Sequence, residues 1–154
     1  CINGSAKYCV LLAFSFSKFL RKIISRIKSI NSTIISDFEI MVSDTISEAD
    51  IVLHLTKIKG LQNDGFTQPR FNGEHINWAN VEIYDSNNLS FVELENIVRH
   101  EMGHALGLGH ASSDWSMMYS SVYSVPKYIT KCDIDGLRSL DAGIGFRTIQ
   151  CMSV

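Results

Sequence analysis

HEMGHALGLGH, running from His100 to His110, is the stretch on which the fold of this chain turns. His100 and His104 stand four apart, so on a helix their imidazoles share one face and aim at one place. Glu101 follows the first of them and is the one carboxylate inside the stretch. Gly107 suits the left-handed conformation that ends a helix, after which the chain turns back and brings in His110. Three imidazoles with a fourth position open describe a catalytic zinc site; a structural zinc is normally closed by a fourth protein ligand, usually with Cys in the set. Zinc held by His100, His104 and His110 would carry a water there and lower its pKa from about 15.7 towards roughly 7. Glu101 would take the proton from that water as general base and pass it to a leaving amine, which suits amide hydrolysis. A buried helix with satisfied core histidines fits poorly, because three His and a Glu at this spacing make a poor core.

The residues upstream frame a helix. Ser90 followed by Glu93 makes a capping box and sets the start at Ser90. Leu94, Ile97, Val98, Met102 and Ala105 then form an apolar stripe at helical spacing, and the helix is expected to end at Gly107.

With these residues in place, the sequence resembles the metzincin clan of zinc endopeptidases, and within it the matrixins, in their microbial form rather than that of vertebrate collagenases. Residues 100–110 match the clan signature at every fixed position. SMMYS, residues 116–120, holds two candidates for the Met-turn that lies beneath the metal in that clan, Met117 and Met118. Matrixin spacing, eight residues after the third His and followed by Tyr, selects Met118 with Tyr119. ITKCDIDGLRSL, residues 129–140, is similar to the last matrixin helix. Thr130 falls at its N-cap, and Ile134, Leu137 and Leu140 make an inward stripe. The resemblance implies that Asp133 ties this helix to the Met-turn, and that ADIVLHL, residues 49–55, is the central strand. It also implies that the zinc helix, around Val98 or its neighbours, and residues 121–128 wall the pocket for the side chain after the scissile bond.

The departures are specific. Ala111 stands where matrixins usually have Ser, and Ser120 where they have Pro. The paired Asp of the last helix is Cys132–Asp133 here, and the first of that pair normally receives the new amino terminus after activation. No propeptide cysteine-switch motif is recognisable. His54 and His75 alone are too few for a second, structural zinc.

Around this site the chain reads as one α+β catalytic domain, residues 1–154. The expected arrangement is a mixed twisted sheet with a backing helix and an active-site helix, residues 1–110, then a small helical C-terminal subdomain, residues 111–154. An apolar share of 45% argues against disorder, and a net charge of −2 gives no general pull towards nucleic acid or anionic membrane. The longest apolar run, residues 9–16, is too short to span a bilayer and reads as a first strand from Tyr8. Apolar residues from Phe16 to Ile30 repeat at helical spacing with Lys and Arg off the stripe, giving a core helix with a solvated basic face. Strands are expected over residues 38–42 and 51–55, and an edge strand over 66–71 before the Asn72-Gly73 turn. Ile76, Trp78, Val81 and Ile83 alternate with a slip at Ala79–Asn80, which predicts a bulge there.

Four cysteines allow three pairings, of which Cys1–Cys9 with Cys132–Cys151 would staple the two ends and fit an exported enzyme. Asp64, Asp85, Asn87 and Asn88 suit a calcium loop or ordinary turns, and no spacing demands the ion. The expectation is an extracellular, monomeric zinc endopeptidase without a transmembrane segment, taking an extended peptide by strand addition. A non-catalytic zinc domain that binds peptide, or a zinc hydrolase of a non-peptide substrate, are the alternatives. Retention of Glu101 argues against the first, and an open cleft would argue against the second.

Overall fold

Ile51, Val52 and Leu53 are buried in succession, as expected of a strand covered on both faces. They belong to β3 (Ile51–Leu55), the centre of a five-stranded sheet among the residues described in the computed structural model. Those residues are 6–13, 38–43, 45–60, 63–73, 75–121, 124–140, 147–149 and 151. β1 (Ala6–Ala13) runs parallel to β3 on one side, with β2 (Phe38–Ser43) parallel outside it. On the other side come β5 (His75–Ile83), parallel, and then β4 (Gly65–Asn72), antiparallel and at the edge. The strand expected from Tyr8 begins at Ala6. The basic helix expected from Phe16 to Ile30 and the Cys1–Cys9 pairing lie outside the described residues.

β5 corrects one expectation. The register is continuous through Ala79 and Asn80 on both flanks, and the shift falls between Arg70 and Phe71, whose partners Trp78 and Ile76 leave Asn77 of β5 as the extra residue. The physical reason is Ala79: it is itself buried and continues the inward face with Val81 and Ile83, so no slip is needed. Trp78 belongs to the other face, where the Arg70 guanidinium stacks 4.5 Å from its ring centroid.

The inward face of the sheet packs on α1 (Phe91–Ala105). Ile51, Leu53, Ala79, Val81 and Ile83 meet Leu94, Ile97, Val98, Met102 and Ala105, the predicted stripe. Each Val, Leu, Ile or Met among them contributes roughly 1.5–3 kcal/mol when fully buried, and the two alanines less. The helix starts where the capping box places it: Ser90 Oγ accepts from Glu93 N, and Glu93 Oε2 accepts from Ser90 N. Before it, Asp85 adopts a positive φ in a turn that Asn88 closes through Asp85 Oδ1.

Beyond α1 a second apolar cluster gathers Leu108, Ala111, Met117, Met118 and Leu140. It lies against α2 (Lys131–Ser139), capped by Thr130. This part is not only helical: β6 (Leu108–Ala111) pairs in parallel with β7 (Arg147–Ile149), a pairing the sequence pattern did not suggest. A disulfide joins Cys132 to Cys151. No helix among the described residues is long and apolar enough to cross a membrane.

Candidate metal centre

The last turns of α1 carry His100 and His104 on one face, and β6 carries His110 towards them. The reversal happens at Gly107, whose φ of 97° is costly for any residue with a Cβ. The three rings stand 4.7, 4.9 and 5.3 Å apart between centroids, and each offers one nitrogen within 4.8 Å of the others. His100 Nδ1 lies 2.9 Å from Met117 O, and His104 Nδ1 lies 2.7 Å from Leu108 O. A carbonyl oxygen only accepts, so both Nδ1 atoms carry the hydrogen and both Nε2 lone pairs turn inward. Those two Nε2 atoms are 3.1 Å apart. Two lone pairs so close repel unless a cation lies between them, so the donor set fits a divalent metal such as zinc.

Burial favours the neutral imidazole at His104 and His110. It lowers His104 to about 4, helped by the neighbouring His100 and His110, and it lowers His110 in the same direction. In an unfolded chain His104 would titrate near 6.5. Between these values the unfolded state binds more protons, so stability is lost as pH falls from about 6.5 to about 4, by on the order of 3 kcal/mol. Glu101 acts in the opposite sense, because burial raises its carboxyl pKa. Melting the metal-free Glu101→Gln protein at pH 7 and pH 4.5 should therefore show a clear fall in Tm at the lower pH, and a flat profile would contradict it.

Glu101 shares a cleft of about 570 Å³ with the three histidines, lined also by Asp64, Gly65, Phe66, Thr67, Ile97 and Ser120. Val98 is not on that wall; it is buried against the sheet, and its neighbour Ile97 faces the cleft instead. A larger hollow of about 1000 Å³, bordered by His54, Leu55, Ile58, Leu89 and Phe91, contains none of the three converging histidines.

Both methionines of SMMYS are buried, with different contacts. Met118 lies under α1, its Sδ 2.2 Å from where a Cβ on Gly103 would stand, so any larger residue there would force the Met118 side chain to move. Met117 presents its carbonyl to His100. Ala111 N donates to Met118 O, and Ala111 bridges to Tyr119, whose ring lies 5.4 Å from Lys127 Nζ. Asp133, 1% exposed, gathers this turn onto α2. It accepts from Ser116 Oγ, Met117 N and Met118 N, and from Thr130 N and Oγ1. Position 132, where the resemblance implies the first Asp of the pair, is committed to the disulfide.

Other contacts had no signal in the sequence. Thr67 Oγ1 lies 2.7 Å from Glu101 Oε2. Asn96 receives Lys127 N on Oδ1 and donates through Nδ2 to Val125 O, while Arg99 pairs with Glu95 and donates to Lys127 O. These buried side chains bolt residues 125–127 onto α1. Glu95 and Arg99 are visible as an i,i+4 pair, but their burial is not. Among the described residues the His triad is the one group of three or more potential ligands set to share an ion.

Comparison with known proteins gives this geometry its relatives. The chain is 39% identical over 51 residues to Metalloendoproteinase 2-MMP of Arabidopsis thaliana, covering 32% of this chain and 14% of that protein. It is 38% identical over 64 residues to Metalloendoproteinase 1 of Glycine max, covering 40% and 21%. The matched stretches thus span about a fifth or less of these relatives' lengths. An archaemetzincin crystal structure from Methanopyrus kandleri superimposes with a TM-score of 0.56 at 19% identity, over 87% of this chain and 94% of that one. That likeness shows the zincin-like fold. The model of the matrixin family, peptidase M10, matches residues 37–142, from β2 through the three histidines, the paired methionines and α2, and on this ground the chain belongs to the matrixin family.

Proposed function

We propose that the chain is a zinc-dependent endopeptidase that cuts extended protein or peptide segments. One observation carries the reading: three inward-facing imidazoles and the Glu101 carboxylate open onto one cleft beside an edge strand. His100, His104 and His110 would hold the zinc, with the rings of His100 and His104 fixed by the carbonyls of Met117 and Leu108 so that their Nε2 atoms face it. Bound zinc supplies Lewis acidity, lowering the pKa of water and polarising the scissile carbonyl. Glu101 takes a proton from the attacking water on its carboxylate and delivers it to the leaving amine. Burial raises its pKa, which favours holding that proton in transit. Met118 supports the site from beneath, and Gly107, Tyr119 and Asp133 hold the turns around it.

The substrate lies along β4, whose outer edge has no partner among the described strands. An open cleft of this length suits a peptide better than a small closed substrate. We further propose that the enzyme is a monomer and that it works after export; the Cys132–Cys151 disulfide supports the export. The test uses the intact protein with an unstructured substrate such as casein. Internal cuts should appear, stop on chelation and return with zinc. Continued cutting by a zinc-free sample, or silence from a zinc-loaded one, would sink the proposal.

A further inference from the structure

Thr67 is tied to both sides of the expected reaction. Its side chain faces α1, where the single hydroxyl hydrogen is shared between Glu101 Oε2 at 2.7 Å and Glu101 O at 2.9 Å. Its main chain faces the other way. Tyr84 N donates to Asp64 O, so the even-numbered residues of this stretch turn their main-chain groups towards β5. Ala79 N donates to Asp50 O and Ile83 O accepts from Thr56 N, so the odd-numbered residues of β5 bond towards β3. Thr67 pairs with Val81 and Gly65 with Ile83, so the N–H and C=O of Gly65 and Thr67 point out from the sheet edge.

Gly65 completes the arrangement. A Cβ there would lie 2.7 Å from Glu101 Cγ and 2.8 Å from Oε1. Thr67 therefore holds one carboxylate oxygen while the bare backbone at Gly65 leaves room for the other. A hydrogen bond to a charged acceptor is shorter and stronger than a neutral one, and it fixes the carboxylate's rotation as well as its place.

We infer that Thr67 is a positioning residue: its hydroxyl sets Glu101 in register with the strand along which the substrate lies. The inference rests on the endopeptidase reading for its catalytic consequence, and on geometry alone for the Thr67–Glu101 contact. Thr67→Val keeps the shape and removes the hydroxyl. It should lower kcat roughly 10- to 100-fold, with KM within about threefold and zinc content unchanged. Thr67→Ser should restore most of the rate. In the metal-free protein, Thr67→Val should lower Tm by about 2–5 °C, and by clearly less in a Glu101→Ala background. Equal Tm shifts in the two backgrounds, or a Ser variant as slow as the Val variant, would overturn the assignment. If the zinc-loaded parent protein cuts nothing, the endopeptidase reading fails while the Tm cycle still decides whether Thr67 holds Glu101.

Discussion

Glu101→Ala should bind zinc as tightly as the parent chain and cut casein about 10²–10⁴-fold more slowly. The separation follows from position. Glu101 stands beside the imidazoles but outside the set whose nitrogens converge. Its carboxylate is occupied by Thr67 on one oxygen, with the other beside Gly65 in the cleft. Removing it deletes the proton carrier and leaves the three histidines and the carbonyls that orient two of them. His104→Ala should do the reverse and lose zinc affinity first. The check pairs metal content with cleavage rate for each variant. A Glu101→Ala protein that cuts at the parent rate would end the general-base role, and one that no longer binds zinc would make Glu101 a structural part of the metal site.

Asp133→Ala should be the most destabilising single change outside the metal site, by about 3–5 kcal/mol. The buried carboxylate accepts from two backbone N–H groups of the methionine turn, from the Ser116 hydroxyl and from the Thr130 cap. Alanine accepts from none of them; Met118 N keeps Ser116 Oγ at 2.9 Å, but Met117 N and the Ser116 hydroxyl lose this acceptor, and buried donors without partners cost far more than a surface contact does. The effect should reach the metal, because Met117 is held by Asp133 through its N–H and holds His100 through its carbonyl. Urea unfolding with and without zinc measures both losses. An unfolding free energy within about 0.5 kcal/mol of the parent value would show that the turn does not depend on this carboxylate.

Much of this architecture was legible because local rules and tertiary demands coincide. The Ser90 box, the stripe from Leu94 to Ala105 and the positive φ at Gly107 are settled within a few residues of each other. Other features were invisible because their partners are distant in sequence. Thr67 is an ordinary strand residue until β4 lies against α1, 34 positions later. The strand character of His110 depends on Met118 O and on β7, and a run of four residues has no periodicity of its own. The bulge was misplaced for a related reason. Ala79 carries too little apolar weight to mark the inward face, yet it is fully buried between its neighbours.

Pro69 has a consequence for what the open edge of β4 can pair with. It pairs with Ala79, whose N–H is taken by Asp50 O, so the nitrogen of Pro69 lies on the outer edge of β4. That is where a sheet tolerates proline, since no ladder bond is lost. It is also the point at which a second strand laid along the edge runs out of donors. The open rim is hospitable for the short length from Gly65 to Thr67 and inhospitable beyond. A guest peptide needs only that length, whereas the edge of another folded copy would need more. Proline on an edge strand is, in general, a device that disfavours edge-to-edge pairing, and Pro69 stands at such a position.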